Sequence, residues 1–196
     1  MRTFPCTCGN TLYFDNTLCL GCGSAVGWCP SCSAIAPLMP GETEGSWQCG
    51  QCGAVLALCH NYAVEAVCNR CVQNGETGAL CDCCVHNEII PDLGIAGHRE
   101  RWAELEAAKR RVFYTLDLLN LPRGWPGGGD LLPLTFDFKA DALPDVGLWR
   151  PMAGTSKVYT GHADGKITIN VKEADTVERE KLRYVHGLCT GLNGQD

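Results

Sequence analysis

The chain has 196 residues, a net charge of −6 and 15 cysteines, 14 of which fall between Cys6 and Cys84, with Cys189 alone beyond them. No run approaches the roughly 18 apolar residues that span a bilayer, and Met1 to Pro5 leads straight into Cys6, so neither a membrane span nor a secretory leader is expected. The expected compartment is the reducing cytoplasm, where closely spaced cysteine pairs mean metal rather than disulfides.

Residues 1–27 and 28–57 each read as a small zinc ribbon, built of short extended stretches between cysteine pairs and Gly-rich turns. Tetrahedral zinc draws four soft ligands from two places in the chain, and a two-residue gap lets both sulfurs of a pair reach one ion. The first site is expected to join Cys6 and Cys8 to Cys19 and Cys22, although its C-x-C half is tighter than usual. The second joins Cys29 and Cys32 to Cys49 and Cys52, and this C-x2-C-x16-C-x2-C spacing is highly specific. Gly23 and Gly53, each following the last cysteine of a pair, relax the tight turn there. Neither ribbon is large enough to bury a sufficient core without its metal.

Residues 58–90 form a third cluster in which Cys59, Cys68, Cys71, Cys81, Cys83 and Cys84 offer six thiols to one tetrahedral ion. Spacing alone favours Cys68, Cys71, Cys81 and Cys84, and His60 or His86 could replace a sulfur. Spare cysteines read equally well as small buried hydrophobes. Pro91-Asp92-Leu93-Gly94 is a turn-like boundary, and residues 91–196 read as a separate, partial α+β domain.

Within that domain Trp102, Leu105, Ala108, Val112, Leu116 and Leu119 recur three and four apart, which predicts a helix over about 97–120, stopped by Pro122. Its other face, with Arg101, Glu104, Lys109, Arg110 and Arg111, reads as solvated. A Gly/Pro linker follows at 122–129, then Leu134, Phe136 and Phe138 alternate with polar residues as a half-buried strand. Residues 141–156 read as loop. Val158–Thr160 and Lys166–Val171 then form a hairpin with turn chemistry at Asp164-Gly165. A second helix is predicted over 174–186, with Asp175 and Glu178 spaced as a capping box.

Residues 1–90 hold two basic residues, Arg2 and Arg70, against seven acids, and three divalent ions on twelve thiolates would add six negative charges more. Nucleic-acid affinity rests on Lys and Arg neutralising phosphates, so nucleic acid is not the expected partner. Protein or peptide is, and no membrane. Four thiolates close the coordination shell, which makes the sites structural rather than catalytic. The strand and helix setting of a thioredoxin-like C-x2-C is also missing.

The opening Cys6-Thr7-Cys8-Gly9-Asn10, Phe14-Asp15-Asn16-Thr17 and Cys19-Leu20-Gly21-Cys22-Gly23 is similar to the start of a bacterial family of metallopeptidase-like zinc proteins that carry an N-terminal zinc-ribbon region. Cys68-Asn69, Leu80-Cys81, Cys84, Ile90-Pro91-Asp92-Leu93, Arg101-Trp102, the run Leu105 to Arg111 and Thr160 to Gly165 extend the resemblance to about residue 186. It implies Cys59, Cys68, Cys81 and Cys84 as the third ligand set, with Cys71 and Cys83 as departures from the family pattern. The set from Cys29 to Cys52 is an elaboration that not every relative would share.

The family's peptidase assignment rests on a His-Glu-x-x-His helix, expected shortly after the segment corresponding to Glu178–His186, and residues 187–196 contain no such motif. The resemblance would also bring His162 and Asp164 near a substrate cleft, whereas on their own terms Asp164-Gly165 simply closes a hairpin. The expected fold is therefore α+β, small zinc ribbons followed by an incomplete zincin-like domain. About three structural zinc ions and no catalytic residue are expected. The chain reads as the N-terminal portion of a metallopeptidase-like protein or, alternatively, as a non-enzymatic adaptor for protein–protein interaction.

Overall fold

In the cysteine-rich half the strands are short because metal-type knuckles, not long hairpins, turn the chain. A computed structural model describes residues 2–127, 130–141 and 157–190, and the chain divides into two units, Met1–Val85 and His86–Asp196. In the first unit β1 (Phe4–Pro5) and β2 (Thr11–Leu12) pair antiparallel. Five strands follow: β3 (Val26–Cys29), β4 (Ala34–Pro40), β5 (Ser46–Cys49), β6 (Val55–Leu58) and β7 (Cys71–Gln73). They form one antiparallel sheet in chain order, so the second ribbon and the third cysteine cluster share a sheet.

An isolated parallel bridge between Trp28 and Arg70 brings the last strand back against the first. Inside lies a core of Cys29, Ala36, Leu38, Cys49, Leu56 and Cys71, half of it thiol. A Cβ on Gly27 would meet Asn69 O and Cys71 Sγ at 3.1 Å, so glycine lets β3 pass closely over β7 without displacing either. The one-turn helix α1 (His60–Ala63) is pinned by Tyr62, whose hydroxyl donates to Val26 O at 2.8 Å.

The second unit holds a four-stranded sheet of order β12-β13-β11-β8, made of β8 (Asn87–Ile89), β11 (Thr135–Lys139), β12 (Gly161–Ala163) and β13 (Lys166–Asn170). β11 is parallel to both neighbours, while β12 and β13 form an antiparallel hairpin. Asp164 and Gly165 close it with φ of 49° and 84°, the left-handed pair of a type I′ turn. The first hairpin strand is Gly161–Ala163, not 158–160, because a two-residue turn fixes the register from the turn outward. The linker read over 122–129 is also corrected: β9 (Gly124–Gly127) and β10 (Asp130–Pro133) pair antiparallel. The loop read over 141–156 lies, from residue 142 on, outside the described residues.

α2 (His98–Leu118) begins after Gly97, which takes φ of 83°. It ends before Pro122 is reached. Asn120 is left-handed and donates to Asp117 O (3.2 Å), while Leu121 N donates to Leu116 O (2.8 Å), the paired bonds of a Schellman stop.

The face α2 buries differs from the expected one. Trp102, Glu106, Lys109, Arg110 and Phe113 are buried, whereas Val112 and Leu119 are exposed. Lys109 and Arg110 are thus not part of a solvated face. Burial is tolerable for Lys109 because Glu106 Oε1 accepts from its Nζ (2.9 Å), from Trp102 Nε1 (3.1 Å) and from Asn87 Nδ2 (2.6 Å), and Lys109 Nζ also donates to Asn87 Oδ1. β11 likewise buries Asp137 along with Phe136 and Phe138, since it is a central parallel strand, and Asp137 Oδ2 accepts from Lys139 at 2.7 Å. Asp175 caps α3 (Thr176–Thr190) by accepting from Val177 N (2.8 Å) and Glu178 N (3.0 Å).

Candidate metal centres

Three groups of four cysteines converge among the described residues: Cys6, Cys8, Cys19 and Cys22; Cys29, Cys32, Cys49 and Cys52; and Cys59, Cys68, Cys81 and Cys84. Within each group all sulfurs lie within 4.8 Å of one another. A tetrahedral ion with zinc–sulfur bonds of about 2.3 Å sets its sulfurs about 3.8 Å apart, whereas a disulfide needs about 2.05 Å. The observed separations are 3.8 Å for Cys6–Cys22, 3.7 Å for Cys8–Cys19, 3.7 Å for Cys29–Cys52, 3.9 Å for Cys32–Cys49 and 3.8 Å for Cys68–Cys81. These separations fit tetrahedral thiolate zinc and exclude disulfides, and each group can hold one zinc ion.

The first two groups are built on equivalent knuckles. Gly23 N donates to Cys19 O and Gly53 N to Cys49 O, both at 2.8 Å, and both glycines take φ of 73°. A Cβ there would be strained, which is why glycine follows each pair. Cys29-Pro30-Ser31-Cys32 completes its turn with Ser33 at φ of 48°, a left-handed position filled without glycine. Polar groups face the thiolates. Asn10 Nδ2 lies 3.6 Å from Cys19 Sγ and pulls that thiol down to about 6, and the Ser24 hydroxyl, 3.2 Å from Cys22 Sγ, lowers Cys22.

The third group is wholly buried, while Cys8, Cys22 and Cys52 of the others are exposed. Cys59 stands at the entry to α1, Cys84 in a single 3-10 turn at Cys84–His86. Backbone amides serve the buried sulfurs: Arg70 N donates to Cys68 Sγ and Cys81 N to Cys59 Sγ, each at 3.4 Å. Cys71 is not in the group. Its side chain sits in the sheet core, where burial pushes the thiol up to about 12. Cys83 is buried beside Cys81 and also lies outside it, its thiol raised by that neighbour and by burial. His86 is engaged elsewhere, with Nδ1 2.6 Å from Leu134 O.

The residues linking the centres escaped the sequence reading. Arg70, 2% exposed, forms two 2.8 Å bonds to Asp82 between Cys81 and Cys83, and its guanidinium lies 4.9 Å from the ring centre of Trp28, next to Cys29. Phe4 and Phe14 meet Trp28 edge-on at 6.1 and 5.6 Å. Asn69 Nδ2 donates to Phe14 O (2.7 Å), and Asn69 O accepts from Trp28 N (2.7 Å). A cation inside a cysteine knuckle, in a half with one other basic residue, was the available signal.

Among the described residues of the second unit no group of metal-type ligands converges. His98 Nδ1 lies 2.9 Å from Asp92 O. His162 and Asp164 sit on the exposed β12–β13 hairpin, and His186 lies on α3. No helix among the described residues is long and apolar enough to cross a membrane.

Residues 3–95 match the family model of a zinc-ribbon domain, and residues 98–187 the model described as "Putative zinc-binding metallo-peptidase". Uncharacterized proteins of Mycobacterium bovis and of two Mycobacterium tuberculosis strains are each 36% identical over 187 residues, covering 93% of this chain and 47% of their own length. The chain thus spans about half the length of these curated relatives. No solved structure matches it. The first half of the chain is thus similar to a zinc-ribbon domain and the second to the family of that metallo-peptidase model, in that order along the sequence.

Proposed function

We infer that Cys6, Cys8, Cys19, Cys22, Cys29, Cys32, Cys49, Cys52, Cys59, Cys68, Cys81 and Cys84 are the ligands of three structural zinc ions. The single observation that carries this is the convergence of four sulfurs within 4.8 Å in each of the three groups, with pairs at 3.7–3.9 Å, which fits tetrahedral thiolate zinc. Bound zinc would supply cross-links and no reactive position, because four thiolates leave no site for water or substrate. The ribbon unit is then a non-catalytic module of a metallopeptidase-like protein. Native mass spectrometry of reduced protein should find three zinc ions, and X-ray absorption should show sulfur-only shells. Two ions, or disulfides among Cys6 to Cys52, would overturn the assignment.

A second reading, a docking module for a basic protein or peptide, is favoured by charge. Of the two cations in residues 1–90, Arg70 is buried against Asp82, so the exposed charge of the ribbon unit is acidic apart from Arg2. The same balance argues against nucleic acid. A cationic peptide should bind with an affinity that falls as salt rises, and equal binding of an acidic peptide would remove this reading.

A further inference from the structure

The second centre takes its ligands from Cys29 to Cys52 and the third from Cys59 to Cys84, and one side chain touches the frame of both. Arg70 meets the third centre three times. Its backbone N donates to Cys68 Sγ at 3.4 Å, its carbonyl accepts from Cys59 N at 3.1 Å, and its guanidinium grips Asp82, whose neighbour in the chain is Cys81. It meets the second centre through Trp28, which precedes Cys29 and whose ring lies under the guanidinium at 4.9 Å. The backbone bridge between Trp28 and Arg70 and the bond from Trp28 N to Asn69 O fix that stack.

We propose that Arg70 couples the second and third metal centres, so that zinc enters and leaves both together. The argument is one of buried charge. Arg70 is nearly inaccessible to water, and its counter-charge, Asp82, is held in place because the flanking Cys81 is tied to its group. Releasing the ion from the third centre frees Cys81 and with it Asp82. A buried guanidinium without its carboxylate is strongly destabilised and moves toward water. That movement removes the cation from the Trp28 face and loosens the strand that presents Cys29. Emptying the second centre acts in reverse: it frees β3, withdraws Trp28 and leaves the guanidinium unsupported. By linkage the two effects are equal in size. Arg70 Nη1 has no hydrogen-bond partner among the described residues, and Nε and Nη2 both donate to Asp82, so the guanidinium's side-chain hydrogen bonds depend on that carboxylate.

The inference rests on the three-zinc assignment, and one experiment separates the two. The zinc-loaded full chain is depleted with increasing chelator, exposed thiols are alkylated at each step, and the modified cysteines are mapped by mass spectrometry. Zinc content before chelator tests the centres themselves, and fewer than three ions would overturn the coupling together with the assignment. Coupling predicts that Cys29 to Cys52 and Cys59 to Cys84 lose protection at the same chelator concentration. In Arg70→Met, which keeps an unbranched side chain against Trp28 without the charge, the two midpoints should separate by tenfold or more. Should Arg70→Met fail to fold, Asp82→Asn removes the counter-charge alone and should separate them in the same direction. Separate midpoints in the unsubstituted chain, or coincident midpoints in the folded variants, would overturn the proposal.

Discussion

The two units differ in how they deal with buried charge. In the ribbon unit ten of the buried apolar positions are cysteines, and eight of them, all but Cys71 and Cys83, converge in groups where a metal ion can neutralise their thiolates. In the other unit the described buried apolar residues are Trp102, Phe113, Phe136, Phe138 and Val171, outnumbered by His98, Glu106, Lys109, Arg110, Asp137 and Asn170. Charge there is answered by side-chain pairs. An ion can be withdrawn from outside, whereas an ion pair fails only when one partner is removed, so the units should respond to different insults.

Zinc removal should produce the largest difference. Structural zinc contributes on the order of 10–16 kcal/mol of apparent binding energy per site in small domains, far above what strands of two to seven residues can gain from burial. Chelation under reducing conditions should abolish amide protection across β3–β7 while α2 changes much less. Hydrogen exchange followed by mass spectrometry reads both at once, and equal loss in the two units would erase the distinction.

Removing one partner of the buried pair should do the reverse. Lys109→Met leaves Glu106, fully buried and with Oε2 lacking a hydrogen-bond partner among the described residues, without its cation. Breaking such a pair costs about 3–5 kcal/mol, whereas replacing both members by apolar residues of similar size is often neutral. Denaturation monitored on α2 should therefore show a large loss for Lys109→Met and recovery in Glu106→Leu/Lys109→Met, with zinc content unchanged. A single variant as stable as the parent would mean that the network contributes nothing.

This contrast also explains what the sequence disclosed. Metal ligands announce themselves by spacing, because the knuckle Cys19-Leu20-Gly21-Cys22-Gly23 is a local object whose turn, bond and glycine are all set within five residues. The Asp164-Gly165 turn and the Asp175 cap were legible for the same reason. Choosing among six thiols in the third cluster was not a local matter. The convergence of Cys59 with Cys68, Cys81 and Cys84 depends on β6 and β7 pairing, and the family resemblance, not spacing, pointed to that set. The buried face of α2 was misread because hydrophobic periodicity counts Glu106 and Lys109 as surface. Their partner Asn87 lies 19 and 22 residues away.

A smaller effect tests whether the second unit's helices stand on local signals. Asp175 accepts two amide bonds at the start of α3 and is held below the usual carboxylate range chiefly by the Glu178 and Val177 amides. Its folded pKa is depressed, so its stabilisation is present above the unfolded value and is lost as pH falls through the folded one. Asp175→Ala should destabilise the start of α3 near neutral pH, and the difference should shrink once the carboxyl is protonated. Urea unfolding at two pH values checks both statements, and a pH-independent difference would show that packing rather than the cap holds the first turn.

The smallest expected effect is none at all, in peptide hydrolysis by this 196-residue polypeptide. Zinc peptidases need an ion with an open position, a water acidified by it and a general base within hydrogen-bond reach. The three groups that can hold zinc offer only thiolates, which would close the shell and weaken the ion's pull on a water. In the other unit no histidine in the sequence is followed by glutamate, and among the described residues no metal-type group forms there. His162 remains the residue to watch, on an exposed hairpin beside Asp164. Zinc-supplemented assays on unfolded casein and a mixed peptide library should show no cleavage above buffer. Cleavage that disappeared in His162→Ala while the three zinc ions stayed bound would place a reactive ion in the second unit and dissolve the contrast between a metal-held half and an ion-pair-held half.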